Sequence, residues 1–243
     1  SSPVITRSII ALTEYGQPIY CLGDSSPEIS QSCVYGNSEG DSLCGDHHDN
    51  LFVHPMFCDV EGGDYTLHDA SPCLPAGNPW GELLGAFGEG CSDYLVYPDG
   101  SGYFPTIESA VDAAVDGADV LLADGTFSGT GNRDVDVIGK WGNIRSVSED
   151  PTLCVIDCSE GGRESHRALT YRSSGSPASQ LVGVTITGGH VPDGSGGAVL
   201  VGSSGAVYMN DCILRGNQAA LGAAVSADSS AMLQLHRCEF SRN

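Results

Sequence analysis

The amino-acid sequence predicts an all-β solenoid built from two half-solenoids, and three observations carry this prediction. A repeat with a period of 26 residues fills residues 203–243. Residues 38–92 lose any period and are rich in Gly, Asp and Cys, as expected where a solenoid ends. Residues 107–116 show a helical pattern that suits a cap. A fixed period in the twenties is typical of solenoids, whose repeats bury their apolar faces only against one another.

The repeat is visible in the segments SSGAVYMNDCILRGNQAALGAAV (203–225) and SSAMLQLHRCEFSRN (229–243). Equivalent positions, 26 residues apart, are Ser203 and Ser229, Val207 and Leu233, Cys212 and Cys238, Leu214 and Phe240, and Asn217 and Asn243. Ile213, between Cys212 and Leu214, is replaced in the next repeat by Glu239. The carboxylate of Glu239 must be solvated. Because neighbours on a strand point to opposite faces, we expect the cysteine and leucine positions to face the core, with thiols stacked about 4.8 Å apart.

The beginning of the chain also predicts solenoid coils. TRSIIAL (6–12) and SCVYGN (32–37) occupy equivalent slots about 25 residues apart. Asn37 closes its repeat as Asn217 and Asn243 close theirs. Since Asn tolerates left-handed backbone and can bond to a stacked neighbour, we interpret these three residues as structural turns.

A new solenoid is predicted to start at residue 93. Residues 107–116 alternate apolar and acidic faces with helical spacing, with Thr106 as N-cap and Gly117 as the stop. Residues 119–129 predict a strand, an Asp-Gly turn and a strand. Further strands are expected around 138–148, 153–158, 167–172 and 181–187.

Composition excludes several function classes. The 243 residues carry a net charge of -21 with only ten Lys and Arg, which argues against nucleic acid or an anionic membrane as partner. No segment approaches the roughly 20 apolar residues of a membrane span. Ten cysteines without a CxxC pair favour an oxidising, extracytoplasmic location over zinc or thioredoxin-like chemistry.

The cysteines predict disulfides without fixing their connectivity. Cys73 and Cys91 bracket an irregular loop and form the favoured pair. Further pairs are open among Cys21, Cys33, Cys44 and Cys58. Cys154 and Cys158 lie about 13 Å apart along a predicted strand, which is too far for a bond.

These segments resemble the right-handed parallel β-helix repeat proteins of bacteria, which have the pectin-lyase-like fold. Residues 93–190, from YPDGSGYFPTIESAVDAAV to GVTITGG, are similar to the N-terminal cap and first coils of that family. Residues 1–92, from SPVITRSII to GAFGEGC, are similar to its last coils and C-terminal cap. The resemblance therefore implies two half-helices, 1–92 and 93–243, with both caps in mid-chain.

This order leaves an uncapped coil toward each terminus, and such edges pair readily with further strands. Either the sequence spans the junction of two tandem β-helices, or the last coil of one chain stacks on the first coil of another; a self-contained monomer is the remaining reading. The predicted stacking residues are Val4, Ile5, Ile9, Ile10, Val225, Leu233, Leu235, Cys238 and Phe240.

The resemblance also brings polysaccharide lyases and hydrolases into consideration. Its lyases use bound calcium and a basic residue, whereas its hydrolases carry NTD, DD, HG and RxK signatures, which are absent here. Lys140 lies near the predicted cap, whereas Arg215 and Arg242 lie in coils without a neighbouring Asp cluster. The acidic charge also repels a polyanionic substrate. We therefore expect no enzymatic activity.

Two acidic clusters are weak candidates for metal binding. Imidazole and carboxylate groups at Asp46, His47, His48 and Asp49 suit Zn²⁺ or Cu²⁺, although neighbours on a strand diverge. A second run carries Asp124, Asp134 and Asp136 among glycines and is the candidate Ca²⁺ site, without matching a known calcium repeat. Otherwise no cofactor is expected, and turn-forming or solvated residues explain both clusters.

We therefore expect a secreted or cell-surface protein with a structural or adhesive role. Its activity is expected to be assembly with copies of itself as a fibre subunit, or service as a segment of a large tandem surface protein. The alternative is a β-helix that binds or cleaves extracellular polysaccharide.

Overall fold

The computed structural model describes residues 3–60, 62–139, 142–160, 164–172 and 178–243. Its parallel strands stack into a β-solenoid with a short helix, which confirms the predicted all-β fold class and the resemblance to parallel β-helix repeat proteins. The chain divides into two compact units, Ser1–Ser92 and Asp93–Asn243, called here the first and the second unit.

The first unit contains three solenoid coils and a segment of residues 57–91, called here the closing segment. Its strands are β1 (Val4–Thr6), β2 (Ile9–Ala11), β3 (Glu28–Ser30), β4 (Cys33–Tyr35), β5 (Asp46–His48), β6 (Phe57–Asp59), β7 (Asp64–His68) and β8 (Glu89–Cys91). The coils stack β1 on β3 on β5 and β2 on β4, all in parallel. In the closing segment β6 pairs antiparallel with β7, and β8 adds parallel to β7.

The second unit is a longer run of coils behind one helix. Its elements are β9 (Tyr94–Val96), α1 (Ile107–Ala113), β10 (Asp119–Leu122), β11 (Gly125–Ser128), β12 (Val135–Ile138), β13 (Asn143–Ser146), β14 (Cys154–Asp157), β15 (Leu169–Arg172), β16 (Ser179–Val182), β17 (Thr185–Thr187), β18 (His190–Ser195), β19 (Val199–Val201), β20 (Ala206–Asn210), β21 (Ile213–Arg215), β22 (Gln218–Leu221), β23 (Val225–Ala227), β24 (Met232–His236) and β25 (Glu239–Ser241).

The strands of the second unit stack in register from coil to coil. The sheets run β9-β10-β13-β16-β20-β24, β11-β14-β17-β21-β25, β12-β15-β19-β23 and β18-β22, with every pairing parallel. β10 and β11 are the two strands predicted for residues 119–129, and they belong to different sheets. The 26-residue repeat is confirmed, because Leu214 pairs with Phe240 and Val207 with Leu233.

Each coil turns at residues with left-handed backbone. In the first coil these are Arg7 and Leu12, at φ of 51° and 59°. In the last coil they are Arg237 and Arg242, at φ of 50° and 55°, with the same spacing along the chain. A non-glycine residue in this region costs roughly 1–2 kcal/mol. The stacking of the flanking strands must therefore hold these turns in place.

The asparagine after the second turn bridges to the preceding coil. Asn217 accepts a hydrogen bond at Oδ1 from the Gly189 N–H (2.9 Å) and donates from Nδ2 to the Ile186 carbonyl (3.1 Å). Asn243 makes the same pair of bonds, with the Asn217 N–H (3.0 Å) and the Leu214 carbonyl (2.8 Å). One side chain thus satisfies two backbone groups at each corner, as expected for a structural turn.

In the first unit an asparagine makes the same pair of corner hydrogen bonds, and an aspartate replaces the asparagine of the next coil. Asn37 accepts from the Thr13 N–H (3.3 Å) and donates to the Ile10 carbonyl (3.2 Å). Asp41, a few residues later in the same chain, accepts from the N–H groups of Gly36 and Asn37 (3.1 and 3.0 Å). The carboxylate takes the place that the asparagine of a following coil would occupy.

Helix α1 begins as predicted and ends early. Thr106 is the N-cap, and its hydroxyl accepts from the Ser109 N–H in a capping box. The helix buries one face near β9, β10 and β12, through Ile107 and Val111 among others. It ends at Ala113, three residues before the predicted end at 116, because Ala114 is extended (ψ 138°). The left-handed Gly117 lies in the turn that follows, not at the helix end.

Two disulfides link segments of the first unit. Cys21 is bonded to Cys44 and Cys58 to Cys91, with S–S distances of 2.04 and 2.02 Å. The predicted Cys73–Cys91 pair is therefore wrong, and Cys73 is a buried free thiol. The irregular sheet of the closing segment brings Cys58 and Cys91 to a Cα separation of 5.9 Å, within the range a disulfide requires.

The corner hydrogen bonds give a first prediction. Replacing Asn217 by Ala leaves the Gly189 N–H and the Ile186 carbonyl without their partner in a buried corner. We expect the free energy of unfolding to fall by about 2–3 kcal/mol, the cost of buried unsatisfied groups. Urea unfolding followed by circular dichroism measures the loss.

A matched control is Asn210→Ala, since the half-buried Asn210 side chain makes no hydrogen bond to the described residues. This control should change stability by less than about 1 kcal/mol. Equal losses for the two variants would contradict a corner role for Asn217.

Candidate assembly surfaces

The last coil of the second unit carries an exposed apolar layer, called here the terminal layer. It comprises the five residues predicted for stacking at this end, Val225, Leu233, Leu235, Cys238 and Phe240. They lie over Val199, Val207, Met209, Cys212 and Leu214 of the preceding coil, all of which are 0% exposed. In contrast, Leu235 is 47% and Phe240 is 44% exposed. Within the described residues, no side chains cover this apolar layer as it covers the layer of the preceding coil.

The backbone at this end is open in the same way. β23, β24 and β25 are the edge strands of their sheets within the described residues. An edge strand presents a row of N–H and C=O groups that can pair with another strand. The terminal layer therefore combines apolar side chains with backbone able to extend the ladders.

The first coil of the first unit presents a smaller layer. Ile5 and Ile10, called here the first layer, are half-buried. Their register partners in the next coil, Ile29 and Val34, are 0% exposed. Ile5 and Ile10 therefore occupy the inward positions that the predicted stacking surface requires.

Two other residues predicted for this surface lie elsewhere. Val4 pairs with the exposed Glu28 and is itself 63% exposed on the outer face. Ile9 packs against a buried cluster of the closing segment, where its side chain approaches Gly85. Neighbours on a strand point to opposite faces. The prediction that Val4 and Ile9 share the layer of Ile5 and Ile10 is therefore wrong.

The opposite end of each unit is capped or polar. In the second unit, α1 packs against β9, the edge strand of the longest sheet. In the first unit, the edge strand β5 carries His47 at the register position of Ile29, and its neighbours Asp46 and His48 are also exposed. Polar residues on an edge strand oppose further pairing. Each unit therefore has one end suited to stacking and one that is not.

The structure does not bring the first metal candidates together. Asp46, His47 and His48 alternate along β5, and Asp49 follows in a left-handed turn. The described residues contain no group of three or more His, Cys, Asp or Glu side chains that could hold a metal ion. Neighbouring side chains on β5 point to opposite faces, which is the divergence expected of these residues on a strand.

The second metal candidates are engaged separately. Asp124, Asp134 and Asp136 each contact a different side chain. Their partners are Ser148, His166 and Arg172, at 2.6, 2.6 and 4.0 Å. The Arg172 guanidinium beside Asp136 disfavours a further cation at that carboxylate.

The terminal layer contains a half-buried thiol above a buried one. The interaction with the Cys212 thiol lowers the pKa of Cys238 to about 6. Burial raises the pKa of Cys154 and Cys158 to about 12. Because the other free cysteines of the described residues are buried, Cys238 is the most reactive thiol among them.

An ion pair beside this layer was missed by sequence reasoning. Arg237 donates two hydrogen bonds to Asp211, which occupies the same corner one coil earlier. The Arg237 guanidinium holds the pKa of Asp211 below its usual range. The signal was present in the sequence, since the two residues are one repeat of 26 apart.

The basic residues considered for lyase chemistry do not form a site. Arg215 and Arg242 are exposed corner or strand residues, and Lys140 lies outside the described residues. None of the helices in the described part of the chain is long and apolar enough to cross a membrane.

Neither a family model, nor a curated protein, nor a solved structure matches this chain.

The stacked thiols give a second prediction. In the folded chain at pH 7, Cys238 should react with a maleimide before any other cysteine, because it is accessible and largely ionised. Cys212→Ala removes this interaction and should raise the pKa of Cys238. Labelling should then slow severalfold, because the loss of thiolate outweighs the gain in nucleophilicity. Peptide mass spectrometry over time measures both rates.

The matched control is Cys154→Ala, which removes a buried thiol of the same unit that is not in the terminal layer. It should leave the labelling rate of Cys238 unchanged. Uniform labelling of all free cysteines in the folded chain would contradict the prediction.

Proposed function

We propose that this chain is an extracellular structural protein that assembles head to tail with copies of itself, by stacking the first layer of one chain on the terminal layer of another. The observation that carries the proposal is the contrast between five residues of the terminal layer and their fully buried counterparts one coil earlier.

The two open coils match in backbone shape, which supports stacking in one register. Arg7 to Thr13 and Arg237 to Asn243 are both seven-residue segments with left-handed turns at their first and sixth positions. Superposing these turns sets Ile10 over Phe240, just as Phe240 lies over Leu214. Apolar residues then meet within the continued core.

The polar positions of this register are also compatible. Thr13 falls over Asn243, and its hydroxyl can accept a hydrogen bond from the Asn243 N–H as the amide oxygen of Asn243 does for Asn217. Arg7 falls over Arg237, and each brings its own carboxylate, Glu82 at 3.2 Å and Asp211. The like charges at this corner are therefore compensated within each chain.

Approximate energies indicate a concentration-dependent assembly. Burying a half-exposed Leu or Phe gains about 1 kcal/mol, and each new backbone hydrogen bond adds about 0.5–1.5 kcal/mol. Association costs about 4–15 kcal/mol in lost freedom of motion. Since no single contact exceeds that cost, assembly depends on the whole coil docking in register.

The geometry of the contact determines the kind of assembly. The surfaces that meet are different on the two partners, so the contact is heterologous and builds an open filament unless it closes into a ring. The polar edge at β5 and the helix α1 oppose stacking at the other two ends. In a longer polypeptide, the coils of a neighbouring tandem β-helix would stack on the same two surfaces.

The proposed location is outside the cytoplasm, at the cell surface or in the medium. Two disulfides and the acidic composition support it. The role is proposed to be structural or adhesive, not enzymatic.

Two variants test the proposal, and each carries a charge in one of the two layers. Phe240→Asp disables the terminal layer and keeps the first layer, whereas Ile10→Asp does the reverse. The unaltered chain should form filaments or large oligomers, and each variant alone should remain monomeric. An equimolar mixture of the two should form a 1:1 dimer and nothing larger, because only one competent contact remains. Analytical ultracentrifugation and negative-stain microscopy measure these states.

The control is Glu239→Gln, which lies between the layer residues on the outer face and should leave assembly intact. An unaltered chain that remains monomeric at high concentration would overturn head-to-tail assembly. Binding of that monomer to polysaccharides on a glycan array would favour the alternative, a carbohydrate-binding β-helix.

A further inference from the structure

Two cysteines of the first unit remain unpaired beside its closing segment. This unit has six cysteines, of which Cys21, Cys44, Cys58 and Cys91 form the two disulfides. Cys33 and Cys73 are free thiols, both 0% exposed. The two lie in one buried cluster with Phe57, Leu67, Leu74 and Leu84.

The two thiols are close enough to interact. Both belong to the same buried cluster, and the thiol of Cys73 lowers the pKa of Cys33. The Cys33 sulfur also lies 3.2 Å from the Val53 carbonyl oxygen. The pair is therefore enclosed between β4 and the closing segment and has no access to solvent.

Backbone hydrogen bonds fix both cysteines. The Cys33 N–H donates to the Ser8 carbonyl (2.8 Å), within the coil ladder. The Leu84 N–H donates to the Cys73 carbonyl (2.9 Å), and the Cys73 N–H donates to Ser71 Oγ (3.1 Å). The contact between the thiols thus results from the docking of two separately held segments.

We propose that Cys33 and Cys73 form a third disulfide, which ties the second coil to the closing segment. The oxidant is a disulfide, either a small-molecule disulfide or a disulfide oxidoreductase. The Cys33 thiolate attacks one of its sulfur atoms and releases the first thiol. Cys73 loses its proton and attacks the Cys33 sulfur of the mixed disulfide, releasing the second thiol. The two cysteines thereby lose two hydrogens, and the oxidant is reduced to two thiols.

The burial of the pair sets the order of events. An oxidant cannot reach sulfurs that are 0% exposed, so the first attack must precede the docking of the closing segment. Docking then brings Cys73 to the mixed disulfide and completes the bond.

The stacked pair Cys212 and Cys238 provides an internal comparison. Those thiols occupy the same position in successive coils, where equivalent atoms are about 4.8 Å apart and side chains run parallel. A disulfide requires Cβ atoms about 3.5–4.5 Å apart. Cys33 and Cys73 instead approach from two different segments, so this restriction does not apply to them.

Alkylation of the intact chain tests the proposal. The chain is secreted into an oxidising compartment, denatured without reductant in the presence of iodoacetamide, digested and analysed by mass spectrometry. We expect a cross-linked peptide pair containing Cys33 and Cys73, lighter by two hydrogens than the sum of its parts. The alkylated cysteines should be Cys154, Cys158, Cys212 and Cys238. Alkylation of both Cys33 and Cys73 in molecules that retain Cys58–Cys91 would overturn the proposal.

A second measurement follows the consequence for stability. Cys73→Ser should be cleaved within residues 71–91 faster than the control Cys154→Ser. Prior reduction of the unaltered chain should bring its cleavage rate close to that of Cys73→Ser. Equal proteolysis rates for the two variants under oxidising conditions would count against the bond. Both measurements can be made on monomers, so their outcome is independent of head-to-tail assembly.

Discussion

The constraint on which the rest of the structure depends is that each coil must find, directly above and below it, a coil with the same pattern. Inward residues are buried by the equivalent residue of the next coil, as Leu214 is by Phe240. Backbone groups are paired the same way, between parallel strands. A coil without a neighbour loses both kinds of contact at once, which is why the terminal layer is exposed in side chain and backbone alike.

The corners make this stacking specific. Left-handed residues such as Arg7 and Arg237 would not hold their backbone alone, and the neighbouring coils hold it for them. Asn217 and Asn243 then each form hydrogen bonds to two backbone groups at the corner of the preceding coil. An asparagine displaced by one residue would meet neither group, so the corners reinforce the register that the alternation of buried and exposed strand residues already specifies.

What the sequence could predict was what repeats. The 26-residue offset, the inward positions of Cys212 and Leu214, and the asparagine corners all follow from periodicity. The closing segment has no period, so the pairing of Cys91 with Cys58 depended on contacts between distant strands. Val4 and Ile9 were placed wrongly because apolar character was counted without the alternation of faces. The early end of α1 at Ala113 depends on the conformation of Ala114, and helical spacing alone does not encode it.

The same constraint makes an open coil a selective surface in the proposed assembly. A partner must match the turns at two corners, present apolar residues at both inward positions and leave polar groups outside, and few surfaces meet all three conditions. The net charge of -21 acts against association, because every copy repels every other. Salt screens this repulsion beyond about 8 Å at physiological ionic strength, whereas stacked coils are only about 4.8 Å apart. Repulsion therefore acts mainly within about 8 Å of contact, where only a coil docked in register gains enough apolar burial and backbone pairing to offset it.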